Sequence, residues 1–172
     1  MIIVLIGYMG SGKSSIGRRL SKKTDYDLVD LDDFIEEKEN ASVKEIFETK
    51  GEIYFRKKEE EYLQKLLKND KNIILSLGGG TPCFGNNMQH IVNAKNATSI
   101  YLKASIKKLA EKLILKKAKR PLIAHIETKE ELEEFIGKHL FERSPYYSKA
   151  EYQILTDNKT KEEIVEEIIT LL

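Results

Sequence analysis

Eight residues near the N-terminus, Gly7-Tyr8-Met9-Gly10-Ser11-Gly12-Lys13-Ser14, match G-x-x-x-x-G-K-[ST] in full. Glycines in such a loop let backbone N–H groups turn toward phosphate oxygens, because no Cβ intervenes. A helix that follows presents its positive end to the same anion. Lys13 can reach the terminal phosphates, and the Ser14 hydroxyl can ligate Mg²⁺. Chance supplies roughly 0.01 such matches in a chain of this length. The segment therefore reads as a site for a nucleoside triphosphate.

Three further groups could do chemistry beside it. Asp30 and Asp32 are spaced two apart at the end of a predicted strand, where side chains i and i+2 face the same way. One could hold hydrated Mg²⁺, and the other could orient or deprotonate an acceptor hydroxyl. The competing reading is an acidic helix entry, because Asp33, Glu36 and Glu37 follow. Gly78-Gly79-Gly80 closes a third strand, and three glycines imply close approach of something bulky to the main chain. Arg56, Arg120 and Arg143 are candidates for gripping a carboxylate or phosphate, since a guanidinium does so with two parallel hydrogen bonds.

The elements that must position these residues alternate along the chain. Strands are predicted over 2–6, 26–30, 73–77, 98–102 and 152–156. Helices are predicted over 13–23, 34–38, 53–67, 130–141 and 162–172, with another through Leu109 and Leu113. Ser42 and Glu45 form a capping-box pattern ahead of Val43, Ile46 and Phe47, and Gly51 should break that helix. Residues 115–127 are basic, contain Pro121 and read as an excursion or lid. Such alternation gives an α/β fold with a mainly parallel sheet.

Composition narrows the classes further. The 172 residues fit one domain, 1–172, with 41% apolar and 33% charged residues. Lys plus Arg is 29 against 28 Asp plus Glu, a formal charge of +1. No global basic field attracts nucleic acid, so none is expected as a partner. The apolar start is too short for a membrane span and lacks a basic leader, so no membrane partner is expected. The single Cys83 excludes an intrachain disulfide framework and fits a reducing cytoplasm. A guanine-reading N-K-x-D is absent, since Asn158-Lys159-Thr160-Lys161 lacks the carboxylate, and large ATPase machines need longer chains. A small-molecule kinase remains.

Six blocks then occur in one order: G-x-M-G-x-G-K-S (7–14), D-x-D-x-x-I-E (30–36), S-x-x-E-I-F…G-E-x-x-F-R (42–56), L-G-G-G (77–80), R-P-L (120–122) and E-R-x-P-x-Y (142–147). In this the chain resembles the shikimate kinases over almost its whole length. The resemblance implies a three-layer αβα P-loop kinase fold with five parallel strands and a mobile lid. The implied activity is transfer of the ATP γ-phosphate to the 3-hydroxyl of shikimate in aromatic amino-acid synthesis. Position by position, Gly10, Ser11, Gly12, Lys13, Ser14 and Ser15 would cradle the phosphates, with Mg²⁺ on Ser14 and, through water, near Asp30 and Ser76. Asp32 would bind the ring hydroxyls and serve as base. Arg56 and Arg143 would clamp the carboxylate, and Gly78, Gly79 and Gly80 would approach the substrate. Arg120 would come in on the lid. The family's substrate-binding helices correspond to about 31–62. A cytoplasmic monomer is implied.

The chain departs from the family pattern at three places. Leu113 stands where an adenine-packing arginine is usual, Ile123 replaces a leucine, and no proline lies in 156–161. Cys83, with no base partner in the pattern, reads as a small packed residue. His90, His125 and His139 lack metal-ligand spacing and read as surface or lid positions. Lys107, Lys108, Lys112, Lys116, Lys117, Lys119 and Arg120 read as a solvated lid near phosphates. Phe47 and Phe55 read as core or pocket wall. Other small polyhydroxy acids, gluconate or quinate, are the alternative acceptors, and a regulatory nucleotide-binding module is the alternative class.

Overall fold

A computed structural model describes residues 1–116 and 121–172. Its centre is β1, Ile2–Ile6, five consecutive apolar residues of which four are β-branched. All five are fully buried, but they serve two cores. Ile2, Val4 and Ile6 face one side of the sheet, and Ile3 and Leu5 face the other, as the two-residue period of a strand requires. This is why the strand reads as an unbroken apolar run.

The other strands are β2 (Asp27–Asp30), β3 (Ile73–Ser76), β4 (Ala97–Lys103) and β5 (Tyr152–Leu155). They form one parallel sheet in the order β2-β3-β1-β4-β5. Helices α1 (Lys13–Lys23) and α7 (Lys161–Thr170) cover one face through Ile16, Leu20, Ile164, Val165 and Ile168. The opposite face takes α2 (Leu31–Glu39), α3 (Val43–Leu67), α4 (Asn87–Asn93), α5 (Ile106–Ile114) and α6 (Lys129–Tyr147). The expected three-layer α/β architecture with five parallel strands is the one observed. Among the described residues no helix is long and apolar enough to cross a membrane.

Several boundaries differ from the sequence reading, and each difference bears on the site. Helix α2 starts at Leu31, directly after β2, rather than near Phe34. Asp30 ends the strand and also caps the helix, accepting a hydrogen bond from Asp32 N at 3.1 Å. Asp32 and Asp33 then occupy the first turn, where carboxylates meet the positive end of the helix. Asp30 and Asp32 are thus not two positions of one extended strand, as expected, but a cap and a first-turn residue.

Helix α6 runs on to Tyr147 instead of ending near Phe141, so Arg143 is helical. Pro145 removes one N–H from the last turn, yet the helix continues because Tyr147 is fully buried and anchors it. The capping box at Ser42 and Glu45 forms as read. Gly51 interrupts α3 with φ 84°, a left-handed value that a side chain would disfavour. Across that kink, Tyr54 and Tyr62 donate hydrogen bonds to the Glu39 carboxylate at 2.5 and 2.6 Å, fixing α2 against α3. These bonds hold the Glu39 carboxyl down at about 2. Within 115–127 the described part is not wholly a solvated excursion: Ile123 and Ile126 are buried in the core.

Candidate active site

The loops after β1 and β3 and the start of α2 after β2 all lie at the carboxyl edge of the sheet, where α/β folds bind ligands. Parallel register sets their heights: Asp30 and Leu5 both align with Ser76 on β3. The phosphate loop leaves β1 beside Ser76, and the triple glycine leaves β3 beside the loop. A cleft of about 620 Å³ lies between them. Gly10, Gly12, Lys13, Ser14, Ser15, Asp30, Asp32, Ser76, Gly78 and Gly79 line it.

Gly10 (φ 82°) and Gly12 (φ 103°) hold left-handed backbone that fits only glycine comfortably. Gly12 caps α1, so the loop runs straight into a helix N-terminus. The Lys13 ammonium donates to the carbonyls of Gly7 (2.7 Å) and Tyr8 (3.1 Å), which keeps it at the loop mouth. Ser14 is exposed on the first turn, whereas Ser11 is buried beneath Gly7 and does not line the cleft.

Asp32 is the most perturbed acid facing this cleft. Burial, then the Asp30 and Glu59 carboxylates, lift its carboxyl to about 6, against the pull of Lys13 and Arg56. Asp30 is raised by burial too, although the Asp32 amide and the Ser76 hydroxyl bond its carboxylate. A carboxyl poised near neutrality in a cleft is what proton transfer to or from an alcohol requires.

The triple glycine reveals why it must lack side chains. A methyl group on Gly78 would lie 3.1 Å from Thr81 Oγ1 and 3.4 Å from Asp32 Oδ1, one on Gly79 3.3 Å from Arg143 Nη1, and one on Gly80 3.1 Å from Arg56 Nη2. Gly79 and Gly80 thus give way to an arginine from α6 and one from α3, while Gly78 gives way to Thr81 and has Asp32 of α2 in ordinary contact. None of the three has positive φ, so close approach, not a left-handed turn, explains them.

Arg56, Gly80 and Arg143 do not line the main cleft, although Arg143 reaches Gly79, which does. Arg56 borders a neighbouring hollow of about 530 Å³ with Ile53, Glu60 and Phe84. Its guanidinium stacks 3.8 Å from the centre of the Phe84 ring and pairs with Glu59 at 2.9 Å. Glu59 is buried and also accepts from Thr81 Oγ1 at 2.6 Å. Removing Arg56 alone strands that carboxylate. We expect Arg56→Ala to destabilise the fold by about 3–5 kcal/mol, and Arg56→Ala/Glu59→Gln to recover part of it. Urea midpoints of the two variants test this, and equal midpoints would contradict it.

Sequence reasoning missed several supporting residues. Glu59 could have been found as an i,i+3 partner of Arg56. Tyr147, inside the E-R-x-P-x-Y block, donates its hydroxyl to the Gly79 carbonyl and so fixes that peptide. Phe84 follows the 3₁₀ turn Thr81–Cys83 and had no periodic signal. His139 is not a surface residue: it is half-buried, and its Nδ1 meets the Tyr8 hydroxyl at 2.9 Å. His90 pairs with Glu60 on the outer side of α3, and His125 is exposed. Burial raises the Cys83 thiol, so it is not an activated nucleophile. Phe55 is core and Phe47, 4.8 Å from it, is partly exposed.

Leu113 is buried against Gly10, and Lys112, Leu115 and Lys116 line the outer end of the cleft. Arg120, with Lys117 and Lys119, lies outside the described residues.

The likenesses to known proteins cover nearly the whole chain. The shikimate kinase family model matches 9–172. A shikimate kinase of Flavobacterium johnsoniae is 51% identical over 170 residues, covering 99% of this chain and 98% of the relative. One from Flavobacterium psychrophilum is 48% identical over 171 residues, with 99% and 98% covered. Among solved structures, the shikimate kinase of Bacteroides thetaiotaomicron superposes with a TM-score of 0.88 at 31% identity, covering 99% of this chain and 97% of that one. The enzyme of Acinetobacter baumannii, solved in complex with shikimate, gives 0.84 at 29%, with 99% and 91% covered. The family model and these relatives cover the chain almost end to end, and the chain belongs to the shikimate kinase family.

Proposed function

We propose that this chain transfers the γ-phosphoryl group of ATP to the 3-hydroxyl of shikimate, giving shikimate 3-phosphate and ADP. The observation that carries the site assignment is the placement of Asp32, Arg143 and Arg56 on Gly78, Gly79 and Gly80, beside the phosphate loop. Phosphoryl transfer asks the protein mainly for positioning and charge neutralisation. Gly10, Gly12, Ser14 and Ser15 supply the loop and helix end that cradle the phosphates, Ser11 contributing its backbone only, with Lys13 neutralising the transferred group. Asp32 orients the acceptor hydroxyl and takes its proton as the new P–O bond forms. Arg143 and Arg56 hold the carboxylate of the acceptor, which fixes the ring's orientation.

Ser14, Asp30 and Ser76 offer hard oxygen donors suited to Mg²⁺. Among the described residues no cluster of three or more His, Cys, Asp or Glu could hold a metal by itself. Ser14 would hold the ion directly, and Asp30 and Ser76 would do so through water. When bound, the ion would neutralise phosphate charge. Arg120 is assigned to the phosphates by motif order alone, on a lid spanning about 115–127. A monomer belongs to the same reading, and a single free cysteine suits a cytoplasmic location.

A coupled ADP-release assay with ATP, Mg²⁺ and a panel of shikimate, quinate and gluconate tests the reading. Turnover is expected with shikimate, and a preference for another acceptor would refute it. In the same assay, Arg143→Lys raises the KM for shikimate by about tenfold, because a point charge replaces a two-pronged grip. The KM for ATP stays within about twofold. Equal losses for both substrates would remove Arg143 from the acceptor site.

A further inference from the structure

Tyr8 belongs to the phosphate loop, yet its side chain points away from the phosphate side into the protein. It is buried, and its hydroxyl is hydrogen-bonded with His139 Nδ1 at 2.9 Å. The two rings meet edge to face, with centres 5.6 Å apart at 83°. His139 is braced from behind by Phe135, whose ring centre lies 5.3 Å away. One helical turn further along α6, the Arg143 guanidinium lies 5.7 Å from the centre of the Tyr8 ring. Its Nη1 reaches toward Gly79. Tyr8 therefore supports Arg143 with its ring and grips the helix that carries Arg143 with its hydroxyl.

Both interactions constrain the same quantity, the direction of the guanidinium. A cation over an aromatic face leaves its N–H edge free for hydrogen bonds. A long, rotamer-rich side chain loses conformational freedom when it binds, so support of this kind pre-orders it. Burial, and then the Arg143 charge, favour the neutral ring, and in the tautomer protonated on Nε2 its Nδ1 accepts the tyrosine hydroxyl's hydrogen bond.

We propose that Tyr8 and His139 are positioning residues for the acceptor, tying the phosphate loop to helix α6 so that Arg143 is aimed at the acceptor carboxylate. This rests on the assignment of Arg143 to that carboxylate. Neither Tyr8 nor His139 lines the cleft, and the pair acts through Arg143.

Steady-state kinetics of the full chain with ATP, Mg²⁺ and shikimate test it. Tyr8→Phe removes one oxygen and keeps the ring, and His139→Leu removes the acceptor nitrogen. Each is expected to raise the KM for shikimate about fivefold, the weight of one hydrogen bond, with kcat and the KM for ATP within about twofold. His139→Asn, whose Oδ1 can accept in place of Nδ1, restores most of the loss. Combined with Arg143→Lys, the effect of Tyr8→Phe shrinks, because the residue it acts through is already altered.

An unchanged KM for shikimate in Tyr8→Phe overturns the proposal, as does an equal rise for ATP or full additivity with Arg143→Lys. Should His139→Leu fail to fold, Tyr8→Phe alone decides. If Arg143→Lys itself leaves the KM for shikimate unchanged, the assignment of Arg143 has failed. If Arg143→Lys raises it and neither Tyr8→Phe nor His139→Leu does, only the positioning role has failed.

Discussion

Asp32→Asn lowers kcat by about 10²–10⁴-fold, the usual weight of a positioned proton acceptor, and at pH 7 it makes the protein more stable. The two effects share one cause. In the folded chain the carboxyl is raised from 3.8 to about 6, first by burial and then by Asp30 and Glu59. The folded state therefore binds the proton more tightly than the unfolded chain does. Between those two values stability falls as pH rises, and above about 6 the whole penalty of holding the ionised form is present. Asparagine is neutral and escapes it. A shift of two units corresponds to about 2–3 kcal/mol, or roughly 5 °C in Tm for a chain of this size.

Activity runs the opposite way with pH. The carboxylate is the competent form, so kcat/KM for the acceptor in the unmodified enzyme falls as pH drops through about 6. In Asp32→Asn the small residual activity loses that step. Calorimetric melting at pH 7 and a pH profile from 5 to 8 check both halves. A variant with lower Tm, or one that keeps the acidic limb, would show that Asp32 is not the poised acid.

Lys13→Met is the second large effect, with kcat expected to fall about 10²–10³-fold. The ammonium is held by the Gly7 and Tyr8 carbonyls at 2.7 and 3.1 Å, so it is fixed at the loop mouth before any nucleotide arrives. A charge fixed in advance costs little reorganisation when negative charge shifts onto the phosphate oxygens. Methionine keeps the aliphatic stem and loses only the cation. Nucleotide affinity by titration calorimetry should weaken less than kcat, because an interaction strongest in the transition state appears mainly in kcat. A kcat within threefold of the unmodified enzyme would remove Lys13 from the reaction.

Where the backbone alone decides, the amino-acid order was sufficient. The run Ile2–Ile6, the glycines at 7, 10 and 12, and the capping box at Ser42 are local instructions, and each folds as read. The order of strands and helices then placed the carboxyl ends of β1, β2 and β3 on one edge, because parallel strands joined by crossover helices all end on the same side.

The pairing of Asp30 and Asp32 was legible, but its geometry was not, since a helix cap rather than strand alternation sets their directions. Arg143 lay past the point where periodicity alone ends α6, and only the burial of Tyr147 carries the helix on to it. Leu113, Phe84, the Glu59–Thr81 bond and the Tyr8–His139 pair likewise depend on which segments meet in space. Local chemistry determined the phosphate loop and the identity of the polar residues. Packing across the sheet edge decided which glycine each of them rests on, because contacts between segments 22 to 131 residues apart leave no periodic mark in the chain.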